Sequence, residues 1–204
     1  DTKYAYAVAR IRALENGLFS SAQIEQLLSV KSYEGALRFL TEHGWGNADT
    51  PLSAEAILTR EKTKTWETVR DLLKGDDAIL AVLSNGDLYH NLKAAIKDAA
   101  APGSHGNVYF DDCEVDGARM AKIVAEKDWQ ALPAHMREAA KEASETFLHT
   151  GDGQLCDIIV DRSALAAIYE CGRNASDAII RDYAETTVAV ADIKIAVRSQ
   201  KTGK

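Results

Sequence analysis

The residues best equipped for chemistry are five histidines, three cysteines and a row of glutamates, and their spacing decides what they can do. His43, His90, His105, His135 and His149 include no pair four residues apart. A helical two-histidine zinc site therefore has no support. A di-iron carboxylate bundle needs Glu-x-x-His on two helices, but Glu138 is followed three residues on by Lys141, and Glu145 by Leu148. Glu138, Glu142 and Glu145 read instead as a solvated helix face. Gly151-Asp152-Gly153 has the start of a calcium loop, yet the later acidic positions and the closing glutamate are wrongly spaced; a turn is expected there. Neither GxxxxGK[ST] nor GxGxxG is present to cradle a phosphate, and no GxSxG elbow occurs. Cys156 near His149 makes no recognisable nucleophile–base pair. No catalytic, cofactor-binding or metal-ligating residue is assigned, no small-molecule substrate is implied, and no motif identifies a partner-binding residue.

What does recur is a cation on an Ala-rich helix. Residues 4–14 (YAYAVARIRAL), 87–97 (DLYHNLKAAIK) and 188–198 (VAVADIKIAVR) align with Arg10, Lys93 and Lys194 in register, each followed by small or apolar residues. The cassettes start 83 and 101 residues apart, which suggests two long helical units and the opening helix of a third. A copied helical unit is the mark of a scaffold. Lys194, Arg198 and Lys201 share one helix face, and Lys93 with Lys97 repeats the spacing. Two explanations stand: compensation of helix-end charge, worth ~0.3–1 kcal/mol per cation, or a docking face for an acidic partner.

Composition narrows the field. The chain has 204 residues, 46% apolar and 27% charged, with only three prolines. A chain of this size can bury roughly 70% of its unfolded surface, and its Ala, Leu, Glu and Lys favour helix. A formal charge of −7 gives no overall pull toward nucleic acid or anionic lipid. Three cysteines without CxxC spacing read as thiols of a reducing cytoplasm. No run reaches the ~18 apolar residues of a membrane span, and the N-terminus lacks the apolar stretch of a signal peptide.

The elements follow from local signals. A first helix is expected from about Thr2 to Asn16, closed by Gly17 in a left-handed cap. Ser20-Ser21-Ala22-Gln23 is a capping box opening a second. Tyr33, Ala36, Leu37 and Leu40 give a third its packing face, ended by Gly44. A long helix is expected over 53–73, with Trp66, Val69 and Leu73 on one stripe, and Gly75-Asp76-Asp77 breaks it. Residues 78–83 are assigned to helix. Helices are also expected over 116–126 and from Leu132-Pro133 to Gly151. Asp157-Ile158-Ile159-Val160-Asp161 has strand character and reads as an extended lead-in with Asp161 as N-cap. A final helix carries Ile179, Tyr183, Val190, Ile193 and Val197 in phase.

The opening YAYAVARIRALE, Asp87-x-x-x-Asn91-Leu92-Lys93, and Asp161 with the helix over 182–198 together resemble the C subunit of V-type and A-type ATP synthases, the family of the V-ATPase d (AC39) subunit. The resemblance covers essentially the whole chain. It implies an all-α, funnel-like fold of related antiparallel helical-bundle modules about a pseudo-threefold axis. Here those modules are a first over 1–101, a linker over 102–105, and a second over 106–204 that includes the opening helix of a third, the rest of which is missing. The resemblance further implies a non-catalytic central-stalk subunit without cofactor or metal, peripheral on the cytoplasmic face of the membrane. Its partners would be the rotor-shaft subunits and the membrane c/K-type ring, with no nucleic acid. The third cassette departs from the pattern, with Asp192 at the place of Asn91 and Val188 at that of Asp87. Two other expectations are open on the residues alone: a generic helical-repeat interaction scaffold, and a helical enzyme of unrecognised type.

Overall fold

The computed structural model describes residues 2, 4–74, 77–100, 109–110 and 113–203. Among them lie nine α-helices and two 3₁₀ turns, and no strand. The chain is all-α. It divides into two compact units, Asp1–Gly75 and Asp76–Lys204. These bounds differ from the modules at 1–101 and 106–204 that the repeat suggests. A unit of packing and a unit of copying need not coincide, and the expected linker at 102–105 lies outside the described residues, as do Gly75 and Asp76.

The first unit holds α1 (Ala5–Glu15), α2 (Ser21–Ser29), α3 (Tyr33–Glu42) and α4 (Ala54–Leu72). The capping box forms as the residues require: the Gln23 amide N–H donates to Ser20 Oγ at 3.3 Å, and the Ser20 N–H to Gln23 Oε1 at 2.9 Å. Gly17 does not take the left-handed conformation expected of it. α1 closes on a tight turn, the Gly17 N–H donating to the Leu14 carbonyl at 2.9 Å, and the left-handed glycines among the described residues are Gly44, Gly46, Gly151 and Gly203. The core is small: Leu37, Leu40 and Ile57 pack with Phe19, Leu27, Trp45 and Ala54. Phe19 stacks on Trp45 at 5.1 Å and meets Phe39 edge-on at 5.8 Å. Glu61 on α4 accepts from the Gly46 N–H at 2.8 Å and pairs with Lys64 at 2.6 Å, while Lys64 donates to the Gly46 carbonyl at 2.7 Å, which pins the turn after α3 to α4. Tyr33 departs from the expected packing face. Its ring is exposed, and its hydroxyl accepts from the Ala54 N–H at 2.9 Å at the start of α4.

The second unit holds α5 (Asp77–Ala100), α6 (Gly117–Glu126), the 3₁₀ turns Trp129–Ala131 and Ala134–Met136, α7 (Arg137–Thr150), α8 (Gly153–Arg173) and α9 (Ala178–Thr202). Residues 78–83 are helical as expected and continuous with the second cassette. The main core joins Leu88, Tyr89, Leu92 and Ile96 of α5 to Met120 and Ile123 of α6, Ala140 and Ala143 of α7, and Cys156, Val160, Ala164 and Ala167 of α8. Burying one such Leu or Ile contributes about 1.5–3 kcal/mol.

The expected extended lead-in at 157–161 is overturned: these residues lie inside α8, and its N-cap is Asp152, not Asp161. Asp152 Oδ1 accepts from the Gln154 and Leu155 amides at 2.8 and 3.2 Å. The reason is tertiary. Cys156, Val160, Ala164 and Ala167 fall on one helical face and are all buried, and that packing outweighs the β-branched local preference. Gly172 brings α8 and α9 together: a Cβ built there would stand 2.1 Å from the Ala184 Cβ.

Candidate functional site

Among the described residues no group of three or more His, Cys, Asp and Glu is placed to hold a metal ion. Glu138, Glu142 and Glu145 are exposed along α7, with Arg162 of α8 reaching Glu142 at 3.4 Å. Gly151, at φ 66°, ends α7 and hands over to the Asp152 cap. Cys113, Cys156 and Cys171 are all thiols. Burial pushes the Cys156 thiol up to about 11, which leaves no thiolate to act as a nucleophile near neutral pH. His105 lies outside the described residues.

One polar hub was not visible in the sequence. The Tyr89 oxygen lies 3.0 Å from His135 Nδ1, donates to the His135 carbonyl at 3.1 Å, and lies 3.1 Å from Ser163 Oγ. Burial raises the Tyr89 hydroxyl above its ordinary range and lowers His135 below its own. Tyr89 is itself fully buried, so no substrate reaches its oxygen from solvent. The hub ties α5 to α8 and to the turn before α7. These three residues are 46 and 74 positions apart in the chain, which no local motif can reveal.

The cations of the second cassette have a specific task. Lys93 Nζ meets Asp161 at 2.6 Å and Lys97 Nζ meets Asp157 at 2.7 Å. These pairs run antiparallel along α5 and α8, at the edge of the apolar core. Neither helix-end compensation nor an external partner is needed for Lys93 and Lys97, because α8 answers both. Asn91, two residues before Lys93, is buried. Its Nδ2 donates to the Phe110 carbonyl at 2.7 Å, and its Oδ1 accepts from the Phe110 N–H at 2.8 Å. The third cassette lies on α9. Lys194, Arg198 and Lys201 are exposed there, and so are Ile179, Tyr183, Val190, Ile193 and Val197. On its other side α9 borders α8 across a groove of about 660 Å³ lined by Ile158, Leu165, Tyr169, Val188, Asp192 and Ile195, among others. Arg10 lies on α1, where Ala7 is the single buried residue.

The described arrangement is that of an all-helical protein organised around helix-docking seams. A profile of the ATP synthase (C/AC39) subunit family matches residues 7–204, and the chain belongs to that family. No curated protein and no solved structure matches it. Membership makes it a V/A-type ATPase subunit, and it implies partners within such a complex. No helix among the described residues is long and apolar enough to cross a membrane.

Proposed function

We propose that this chain is a non-catalytic coupling subunit of the central stalk, joining the rotor shaft to the ion-translocating membrane ring and working on the cytoplasmic face. The observation that carries this is the family match over residues 7–204. The physical character of the second unit supports it. A coupler must pass torque without yielding, and close-packed interiors transmit strain. The core of this unit supplies such packing: small residues on α7 (Ala140, Ala143) and α8 (Ala164, Ala167) let helices approach, and two ion pairs lock the register of α5 on α8. Helical modules at 1–101 and 106–204, related by the cassettes, belong to this proposal.

The test is a pull-down of the chain with purified shaft subunits and with the detergent-solubilised ring, beside an unrelated helical protein as control. Retention of both above the control is expected. Failure to retain either one overturns the coupling role.

A further inference from the structure

Two of the six asparagines of this chain stand directly before glycine, at Asn16–Gly17 and Asn85–Gly86. Such a step is the least hindered place for a backbone nitrogen to attack the side chain before it, because glycine sets no Cβ beside that nitrogen. The attack also needs a peptide free to swing and a side chain open to water. The fold treats the two steps oppositely. Asn85 lies within α5 and is 3% exposed, its Nδ2 donating to the Cys171 sulfur at 3.6 Å. The Gly86 N–H belongs to the interior hydrogen-bond ladder of that helix. Asn16 is the C-cap of α1, and both it and Gly17 are exposed.

Little holds this end of α1. The Gly17 N–H donates to the Leu14 carbonyl at 2.9 Å, and the Leu18 N–H to the Glu15 carbonyl at 3.1 Å. Ala7 is the single buried residue of the helix, so its last turn opens at small cost while the rest of the unit stays folded. Opening frees the Gly17 nitrogen and lets the Asn16 backbone rotate away from its helical φ −66°, ψ −16°. In α5 the same rotation would break a helix in mid-span and draw a buried amide out of its packing.

We propose that Asn16 is a modification site, converted without an enzyme to aspartate and isoaspartate, and that the fold protects Asn85 from the same change. The Gly17 nitrogen bonds to the Asn16 side-chain carbonyl carbon. The side-chain nitrogen leaves as ammonia, taking with it the proton that the Gly17 amide gives up. Water then opens the succinimide ring at either carbonyl, its hydroxyl going to carbon and its proton to nitrogen. Both products place a carboxylate at the C-terminal end of α1, where the helix dipole is already negative. Isoaspartate also adds a backbone carbon to the turn. The converted chain holds α1 less firmly and presents a carboxyl group that an isoaspartyl carboxyl-methyltransferase can take as substrate. The proposal goes beyond the coupling role and does not depend on it.

The full chain is aged at mildly alkaline pH, with and without urea, and sampled by peptide mapping; isoaspartate is read by enzymatic carboxyl methylation of the separated peptides. In the folded chain Asn16 should convert severalfold faster than Asn85, with isoaspartate the larger product. In urea the two rates should draw together, since each asparagine then precedes a glycine in an open chain. Gly17→Ala, which sets a methyl beside the attacking nitrogen, should slow conversion of Asn16 severalfold. The amides of Ile11 to Glu15 should exchange faster in aged chain than in fresh. Three results overturn the proposal: Asn16 no faster than Asn85 in the folded chain, a gap between them that urea leaves unchanged, or equal conversion in the Gly17→Ala chain. The comparison of the two asparagines needs no variant, so it stands whatever the substitution does to folding.

Discussion

Lys93 and Asp161 stand 2.6 Å apart across the α5–α8 seam, and Lys97 with Asp157 repeats the contact one turn along at 2.7 Å. All four side chains are partly open to solvent, so each pair is worth no more than about 1 kcal/mol. Their greater effect is on register. A double-mutant cycle with Lys93→Ala and Asp161→Ala, read by urea unfolding at low salt, should give a coupling of about 0.5–1 kcal/mol that shrinks as salt is added. A coupling of zero at low salt would remove the pair from the account of the seam.

Asn91 satisfies both polar groups of the Phe110 peptide. Asn91→Leu strands that donor and acceptor and should cost about 2–3 kcal/mol. Asn91→Asp keeps the acceptor but places a charge at a buried position, and should cost at least as much. Urea unfolding measures both. Amide exchange at Phe110 should quicken in either variant even where the global stability still suffices.

Gly172 and Gly86 make a matched pair of opposite sign. Gly172→Ala forces a methyl onto the Ala184 Cβ, 2.1 Å away in the present backbone, and should destabilise by about 1–3 kcal/mol through overpacking. Gly86 sits within α5 with nothing inside 4 Å of its virtual Cβ. Gly86→Ala should stabilise by about 0.5–1 kcal/mol. Thermal melts of the two variants decide it; equal shifts would refute the close α8–α9 crossing.

Burial holds His135 below its ordinary value of 6.5, with Glu114 opposing the shift. Folded protein therefore binds fewer protons than unfolded protein between the two values. Stability is full above pH 6.5 and declines as pH falls through that window. Subtracting the pH profile of His135→Gln from that of the native protein isolates this slope. A difference that rises on acidification would reverse the assignment.

Thiol reactivity should follow burial. With its thiol held near 11 and its side chain enclosed, Cys156 should resist alkylation at pH 8, while the half-buried Cys113 and Cys171 react sooner. Mass spectrometry of timed iodoacetamide digests reads the order. Denaturant should erase it.

Local signals were legible where they act within a turn or two. The Ser20–Gln23 box and the break at Gly151 depend on side chains and backbone within a few positions, and the sequence displays them; the helices expected from 53 and 116 begin one residue later, on the N-caps Ser53 and Asp116. The helical character of 157–161 was hidden. Asp157-Ile158-Ile159-Val160-Asp161 presents consecutive β-branched residues, and only the burial of Cys156, Val160, Ala164 and Ala167 reveals the true phase. Gly17 misled for a related reason, since α1 ends on a turn that needs no left-handed residue. The partners of Lys93 and Lys97 lie 68 and 60 positions away. Spacing along one helix could mark those cations but could not tell an internal partner from an external one.

The amide of Asn91 grips the Phe110 backbone as a neighbouring strand would, and it takes no hold of the side chain. Recognition of that kind is blind to residue identity. For this grip position 110 must keep its N–H, which bars proline, while the Phe110 ring is held separately against His90 at 4.9 Å. The asparagine thus supplies a main-chain anchor that is separable from the side-chain contacts of Tyr109 with the core and of Phe110 with His90.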